Sequence, residues 1–227
     1  MFYRLFLILF FSFSLTECIT DKTCSDEDRS CSVEALILSK FSAPSGIYVY
    51  SSSATYKGNL AILGTGTLDA SLHSICQNDR LLAPIIDQNC QSVAPLVSTS
   101  AVPANDLNLL YADLPYNGVA IRGPFGALIT QEMSTLFSSG DLQLSLSAAG
   151  LGDSLFWSFG TGNGGYAADD CNGGTDSTSG SLGQLGSPKV VTQGSWFATD
   201  ILSCSQSHRI LCICYVPPAS GSGATEG

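Results

Sequence analysis

Nine cysteines in a chain of 227 residues limit what it can fold into more than any other feature. Cys18 ends an apolar leader, Cys24 and Cys31 bracket a short acidic stretch, and Cys76, Cys90, Cys171, Cys204, Cys212 and Cys214 are spread through the body. One cysteine for a lipid and eight for four bridges uses them all and leaves no odd thiol. That count suits export into an oxidising compartment, since a cytosolic chain would hold such thiols reduced. Metal binding is the competing use, but there is no CxxC pair and only two histidines, His73 and His208. The zinc reading is poor.

Residues 1–4 carry one positive charge, and residues 5–15 (LFLILFFSFSL) are continuously apolar. A membrane-spanning helix needs about 20 such residues, so the run suits a signal-peptide core, with residues 1–17 removed on export. Leu15 stands three places before Cys18, which resembles a bacterial lipobox in which Cys18 becomes the lipidated N-terminus. Glu17 departs from that pattern, because small residues normally precede the cysteine; relaxed lipoboxes of this sort resemble those of spirochaetes. The alternative is ordinary cleavage nearby, with Cys18 pairing elsewhere. No second apolar segment is long enough to span a bilayer, so anchoring is expected from the lipid alone.

The formal net charge is −10, and removal of residues 1–17 leaves it unchanged because one Arg and one Glu go together. With 44% hydrophobic and only 12% charged residues, the body can bury one sizeable core. Low charge with abundant Gly, Ser and Thr reads as a loop-rich, disulfide-stapled extracellular fold. The acidic balance argues against nucleic acid, heparin or anionic lipid as partners, which need basic patches. Lys57, Arg80, Arg122, Lys189 and Arg209 are scattered and form no cluster along the sequence.

Along the chain, residues 18–45 read as an acidic tether, residues 46–217 as one domain, and 218–227 as a flexible tail. Residues 46–52 (GIYVYSS) alternate aromatic and β-branched side chains as a strand does. The spacing of Leu68, Leu72, Ile75 and Cys76 predicts a helix over 67–79 with a buried stripe, and Asp69 in its first turn complements the helix dipole. His73 lies beside that stripe and reads as structural. Short apolar bursts between 81 and 141 predict brief strands and loops. LFWSFG at 155–160 predicts a core strand with Trp157 inside. Residues 161–187 are nearly all Gly, Ser, Thr, Asn and Asp, and predict a long polar loop. RILCICYV at 209–216 is the strongest strand, with Cys212 and Cys214 on one face and Ile213 on the other.

The second half carries a resemblance. A tryptophan strand (LFWSFGTG) is followed by CNGGTDS, a Gly-rich loop, a lone tryptophan (GSWF), SCSQS and a closing Arg-x-x-Cys strand (RILC). This order is similar to the C-type-lectin-like domain of the leptospiral endostatin-like surface proteins. GIYVYSSSATYKGNL and the helix ending in Cys76 resemble that family's opening strand, Gly-Asn turn and helix, so the likeness spans roughly residues 46–216. In two respects the chain departs from the family. A tryptophan expected shortly after Cys171 is absent, with Gly174 and Thr175 in its place, and Cys90 and Cys214 look additional. The resemblance implies an α+β, disulfide-stapled fold in which Cys76 bridges Cys212 and Cys171 bridges Cys204, leaving Cys90 for Cys214. Spacing alone leaves Cys212 and Cys214 interchangeable, while Cys24 and Cys31 are near enough to close locally. Closing the polar 171–204 loop removes about 4 kcal/mol of unfolded-state entropy in the simple chain model.

Two chemistries compete with a purely adhesive role. Gly152-Asp153-Ser154-Leu155 spells the motif of the GDSL esterases, but it sits late in the chain, and Ser205 stands where an Asp should precede His208. A serine without a positioned base is a weak nucleophile. Asn163, Asp169, Asp170, Asn172 and Asp176 form an oxygen-rich run of the kind that calcium prefers. The Glu-Pro-Asn, Gln-Pro-Asp and Trp-Asn-Asp signatures of sugar-binding lectins are missing, and such residues commonly serve turns. Trp157 and Trp196 read as core, given Phe156, Phe159 and Phe197 beside them. The expected protein is therefore a non-enzymatic surface lipoprotein without cofactor or metal, exposed at the outer membrane; secretion or a periplasmic location is the alternative. By resemblance it is an adhesin for host matrix proteins such as laminin and fibronectin, with complement factor H as a further partner. Calcium-dependent sugar binding is the second reading.

Overall fold

The computed structural model describes residues 43–63, 66–138 and 140–218. Cys18, Cys24, Cys31 and the expected leader lie outside the described residues, as do the tether up to residue 42 and the tail from 219. In chain order the strands are β1 (Ile47–Ser51), β2 (Ser92–Pro95), β3 (Ile121–Arg122), β4 (Leu128–Thr130), β5 (Phe156–Trp157), β6 (Leu182–Gly186), β7 (Asp200–Ser203) and β8 (Arg209–Tyr215). The α-helical segments among the described residues are α1 (Leu68–Arg80) and two single turns, α2 (Met133–Leu136) and α3 (Cys171–Gly174), beside short 3-10 and π turns at Leu60–Leu63, Ala104–Leu109 and Ser147–Leu151.

An apolar run without polar alternation implies a strand buried on both faces. Strand β8 meets that condition, because it is the hub of the sheet. It pairs antiparallel with β1 and β2 and parallel with β5, within the order β4-β3-β1-β8-β5-β6-β7. Its register sets Tyr50 opposite Cys212, Val49 opposite Ile213 and Tyr48 opposite Cys214. Successive side chains alternate between two separate cores. Ile47, Val49, Leu211 and Ile213 join Phe137, Phe156, Trp196 and Phe197 in one core. Tyr48, Tyr50, Cys212 and Cys214 join Leu72, Ile75, Cys76 and Trp157 in the other. The expected one-sided placement of the two cysteines, with Ile213 opposite, is what the register gives.

Helix α1 begins where Thr67 accepts a hydrogen bond from the Ala70 amide at 3.3 Å, a normal N-cap arrangement. It covers the second core with Leu72, Ile75 and Cys76, while Leu68 packs at its edge. The expected helix at 67–79 is thus displaced by one residue.

Among the described residues, three bridges staple this mixed α+β fold. Cys76–Cys212 joins α1 to the central strand, Cys90–Cys214 joins the segment before β2 to the same strand, and Cys171–Cys204 joins α3 to the turn after β7. Their Cα separations of 5.4–5.6 Å are ordinary for disulfides. The choice that spacing left open between Cys212 and Cys214 is resolved. Both sulfurs leave the same face of β8, one toward the helix and one toward the segment before β2.

Two expectations need correction. Residues 161–187 are not one continuous polar loop, since their last part is β6, paired with both β5 and β7. The strand escapes detection because glycine replaces the usual β-formers. A Cβ on Gly183 would lie 2.6 Å from the Trp157 ring, and one on Gly186 would collide with Phe156. The aromatic bulk comes from β5, so β6 must be thin. The strand expected at 155–160 is only two residues long, because Phe159 adopts a left-handed φ of 46°. Strand β7, four exposed or half-buried residues, is too short for alternation to reveal it in the sequence.

Candidate functional site

The oxygen-rich stretch after β5 is built on that sheet and held at three points. At its start, the amides of Ser158 and Phe159 both donate to the Gln184 carbonyl, at 3.1 and 3.2 Å. Next, Thr161 and Gly165 close a turn through an amide-to-carbonyl bond of 2.8 Å. The Asn163 side chain sits inside it, accepting from the Thr161 hydroxyl at 2.6 Å. At the far end, the Cys171–Cys204 bridge pins the chain to the turn after β7.

Between these points lies an unusual turn. Cys171, Asn172, Gly173 and Gly174 have φ of 59, 56, 67 and 70°, four successive residues in the left-handed region. For Cys and Asn this conformation costs about 1–2 kcal/mol each and persists only where the surroundings impose it. Asp170 supplies part of that restraint, since its carboxylate accepts from the Gly173 amide at 2.9 Å. The amides of Thr175 and Asp176 add bonds to the Cys171 carbonyl at 3.1 and 2.9 Å. The disulfide supplies the rest. The Gly173–Gly174 pair was the only sequence signal for this turn.

Four of the five candidate ligand side chains, those of Asn163, Asp170, Asn172 and Asp176, therefore have local work, and Asp169 is engaged through its backbone. Asp170 is buried and also accepts the Tyr166 hydroxyl; burial and that carboxylate push the Tyr166 phenol up to about 12. The Asp176 carboxylate accepts from Ser181 and from the Thr178 amide at 2.7 Å, and these bonds hold it below the usual carboxylate range. Asn172 reaches Thr175, and the Asp169 carbonyl accepts the Gln184 amide at 2.7 Å. Among the described residues, no three His, Cys, Asp or Glu side chains converge as a metal ligand set would.

The other candidates separate in space. Ser154 is exposed at the edge of a cleft lined by Tyr50, Pro84, Pro124, Leu151 and Arg209, with no histidine or carboxylate in the lining. Its neighbour Asp153 is committed to Ser147 and to Lys189 at 3.1 Å. His208 instead sets its ring edge-on to Trp157, with centroids 4.8 Å apart, and burial lowers its pKa. His73 stacks on Tyr111 at 5.8 Å. Trp157 and Trp196 are both 0% exposed, so neither offers a face to a sugar. Trp157 donates its indole N–H to the Tyr56 carbonyl at 2.8 Å, while Trp196 packs among Phe137, Phe156 and Phe197.

Residues 43–218 carry twelve carboxylates against five basic side chains. Lys189–Asp153 is the one ion pair among the described residues, leaving the acidic excess to shape the surface field. No helix among the described residues is long and apolar enough to cross a membrane. No family model and no curated protein sequence matches this chain.

Proposed function

We propose that this chain is a non-enzymatic bacterial surface lipoprotein whose C-type-lectin-like domain binds host extracellular-matrix proteins. Laminin and fibronectin are its expected ligands, and complement factor H is a further one. The observation that carries this reading is the layout of the bridges. Cys76–Cys212 ties the helix to the closing strand and Cys171–Cys204 staples the loop-bearing half, the pattern that the endostatin-like resemblance implies. The acidic excess supplies a physical reason for the partners. Matrix proteins and factor H present basic, heparin-binding faces, and a negative surface steers such partners into encounter more than it tightens the final complex. The stretch 161–181, exposed at Asn163, Tyr166, Asn172, Thr175 and 178–180, is the recognition surface, set on a rigid scaffold as recognition loops commonly are.

The test is a binding screen of the purified chain over immobilised laminin, fibronectin and factor H, with and without EDTA. Saturable binding to at least one of them, weakening from low ionic strength to about 0.15 M salt and indifferent to EDTA, is expected. Binding to none of them removes the adhesin reading, and loss of binding in EDTA replaces it with calcium-dependent recognition.

A further inference from the structure

The cleft beside Ser154 has features that neither the esterase motif nor the adhesin reading uses. Its volume is about 310 Å³, at the lower end of what small-ligand sites occupy. Arg209, the first residue of β8, contributes its one charge. One guanidinium nitrogen, Nη1, is spent on the carbonyls of Ser52 and Ser53. Nε and Nη2 have no acceptor among the described residues, and no carboxylate among them pairs with Arg209. Asp153, next to Ser154, is engaged with Lys189 and Ser147, and Asp79 with the Ser53 hydroxyl.

The same lining adds neutral donors. Ser154 is exposed and its hydroxyl has no protein partner among the described residues. Gly152, at φ 82°, turns the chain past the cleft, and the amides of Gly152 and Ser154 donate to no protein acceptor there. The remaining walls are apolar: Pro84, Pro124 and Leu151 line the cavity. Phe125, 60% exposed, stands against Gly150 at its rim.

We infer that this cleft binds a carboxylate attached to an apolar or aromatic group, with Arg209 as the cation. A planar guanidinium presents parallel N–H donors that match a carboxylate's two oxygens, and such charge-assisted pairs are the strong ones. In a domain with a large excess of negative charge, a guanidinium without a carboxylate partner among the described residues, set in a recess, is the place where an anion fits. Prolines and a phenyl ring beside it select against small inorganic anions. A free organic acid and a peptide C-terminus share this chemistry.

The test is a titration of the isotopically labelled full chain, followed by NMR at the Arg209 Nε–H and at the amides of Gly152 and Ser154. The probes are N-benzoylglycine and the tripeptide Gly-Gly-Phe, each beside its uncharged C-terminal amide. Saturable shifts confined to those signals are expected with at least one acid and with neither amide. A response to the tripeptide alone assigns a peptide terminus, and a response to N-benzoylglycine assigns a free organic acid. Arg209→Gln is expected to weaken binding about tenfold or more. Because Arg209 also holds Ser52 and Ser53, Ser154→Asp serves as the second variant. It places a carboxylate beside the guanidinium from an exposed position and is expected to abolish binding while leaving the rest of the spectrum unchanged. Equal binding of acid and amide, unaltered affinity in Ser154→Asp, or no saturable shift with either acid overturns the inference.

Discussion

Cys171 is the residue around which the loop-bearing half is arranged, and two glycines make room for its sulfur. A Cβ on Gly58 would collide with Cys171 Sγ, and one on Gly183 would lie 2.7 Å from it. Gly58 also donates its amide to the Cys204 carbonyl at 2.9 Å, so it cannot retreat without losing that bond. Gly58→Ala is therefore expected to destabilise the chain by about 1–3 kcal/mol, as overpacking does. Gly180→Ala, whose new methyl would meet nothing nearer than 3.8 Å, should cost far less. Urea midpoints of the two variants check this. Sequence reading could not find either contact, because a glycine needed for a close approach looks the same as one needed for a turn.

His208 gives a second prediction at this scale. Its Nε2 is buried without a partner among the described residues and its ring abuts Trp157, so the folded state disfavours the imidazolium. A lowered native pKa means that the unfolded chain binds the proton first. The stability contributed by neutral His208 is full above about pH 6.5 and is lost as pH falls from there through the lower native pKa. His208→Gln should flatten the stability-versus-pH curve in that window, read from urea unfolding at several pH values. An unchanged slope contradicts it.

At the scale of elements, legibility followed side-chain periodicity. Helix α1 and strands β1 and β8 bury patterned apolar residues, so their positions could be read within about a residue. Strand β6 could not, because its neighbours Phe156 and Trp157 supply the bulk and leave glycine at 183 and 186, among Leu182, Gln184 and Leu185. The left-handed turn at 171–174 was equally hidden, since its conformation is imposed by Asp170 and by a bridge distant in sequence. For the candidate site, the stretch was found as oxygen-rich, but the internal use of its carboxylates was not. The bridges also differ in what they should do. Replacing Cys171 and Cys204 together by Ser removes about 4 kcal/mol of chain-entropy stabilisation and releases the strained turn. Hydrogen exchange should quicken in 161–181 while β8 and α1 stay protected. Replacing Cys76 and Cys212 removes about 5 kcal/mol from a loop that spans most of the domain, and exchange should quicken throughout.

For the whole molecule, packing and cross-linking divide the labour. Two cores on opposite faces of one twisted sheet bury its central strand, yet much of the remaining chain is short turns with little apolar surface. Ordering such segments costs backbone entropy that burial cannot offset locally, and covalent closure reduces the cost. An acidic, stapled platform of this kind is expected to recognise basic protein surfaces in a salt-sensitive way. The most direct measurement compares laminin, fibronectin and factor H binding by the oxidised chain with binding by the same chain after reduction and thiol blocking. The oxidised chain should bind at least one of them and the reduced chain should lose that binding. Undiminished binding after reduction, or none by the oxidised chain, contradicts the claim that disulfide bonds hold the recognition surface in shape.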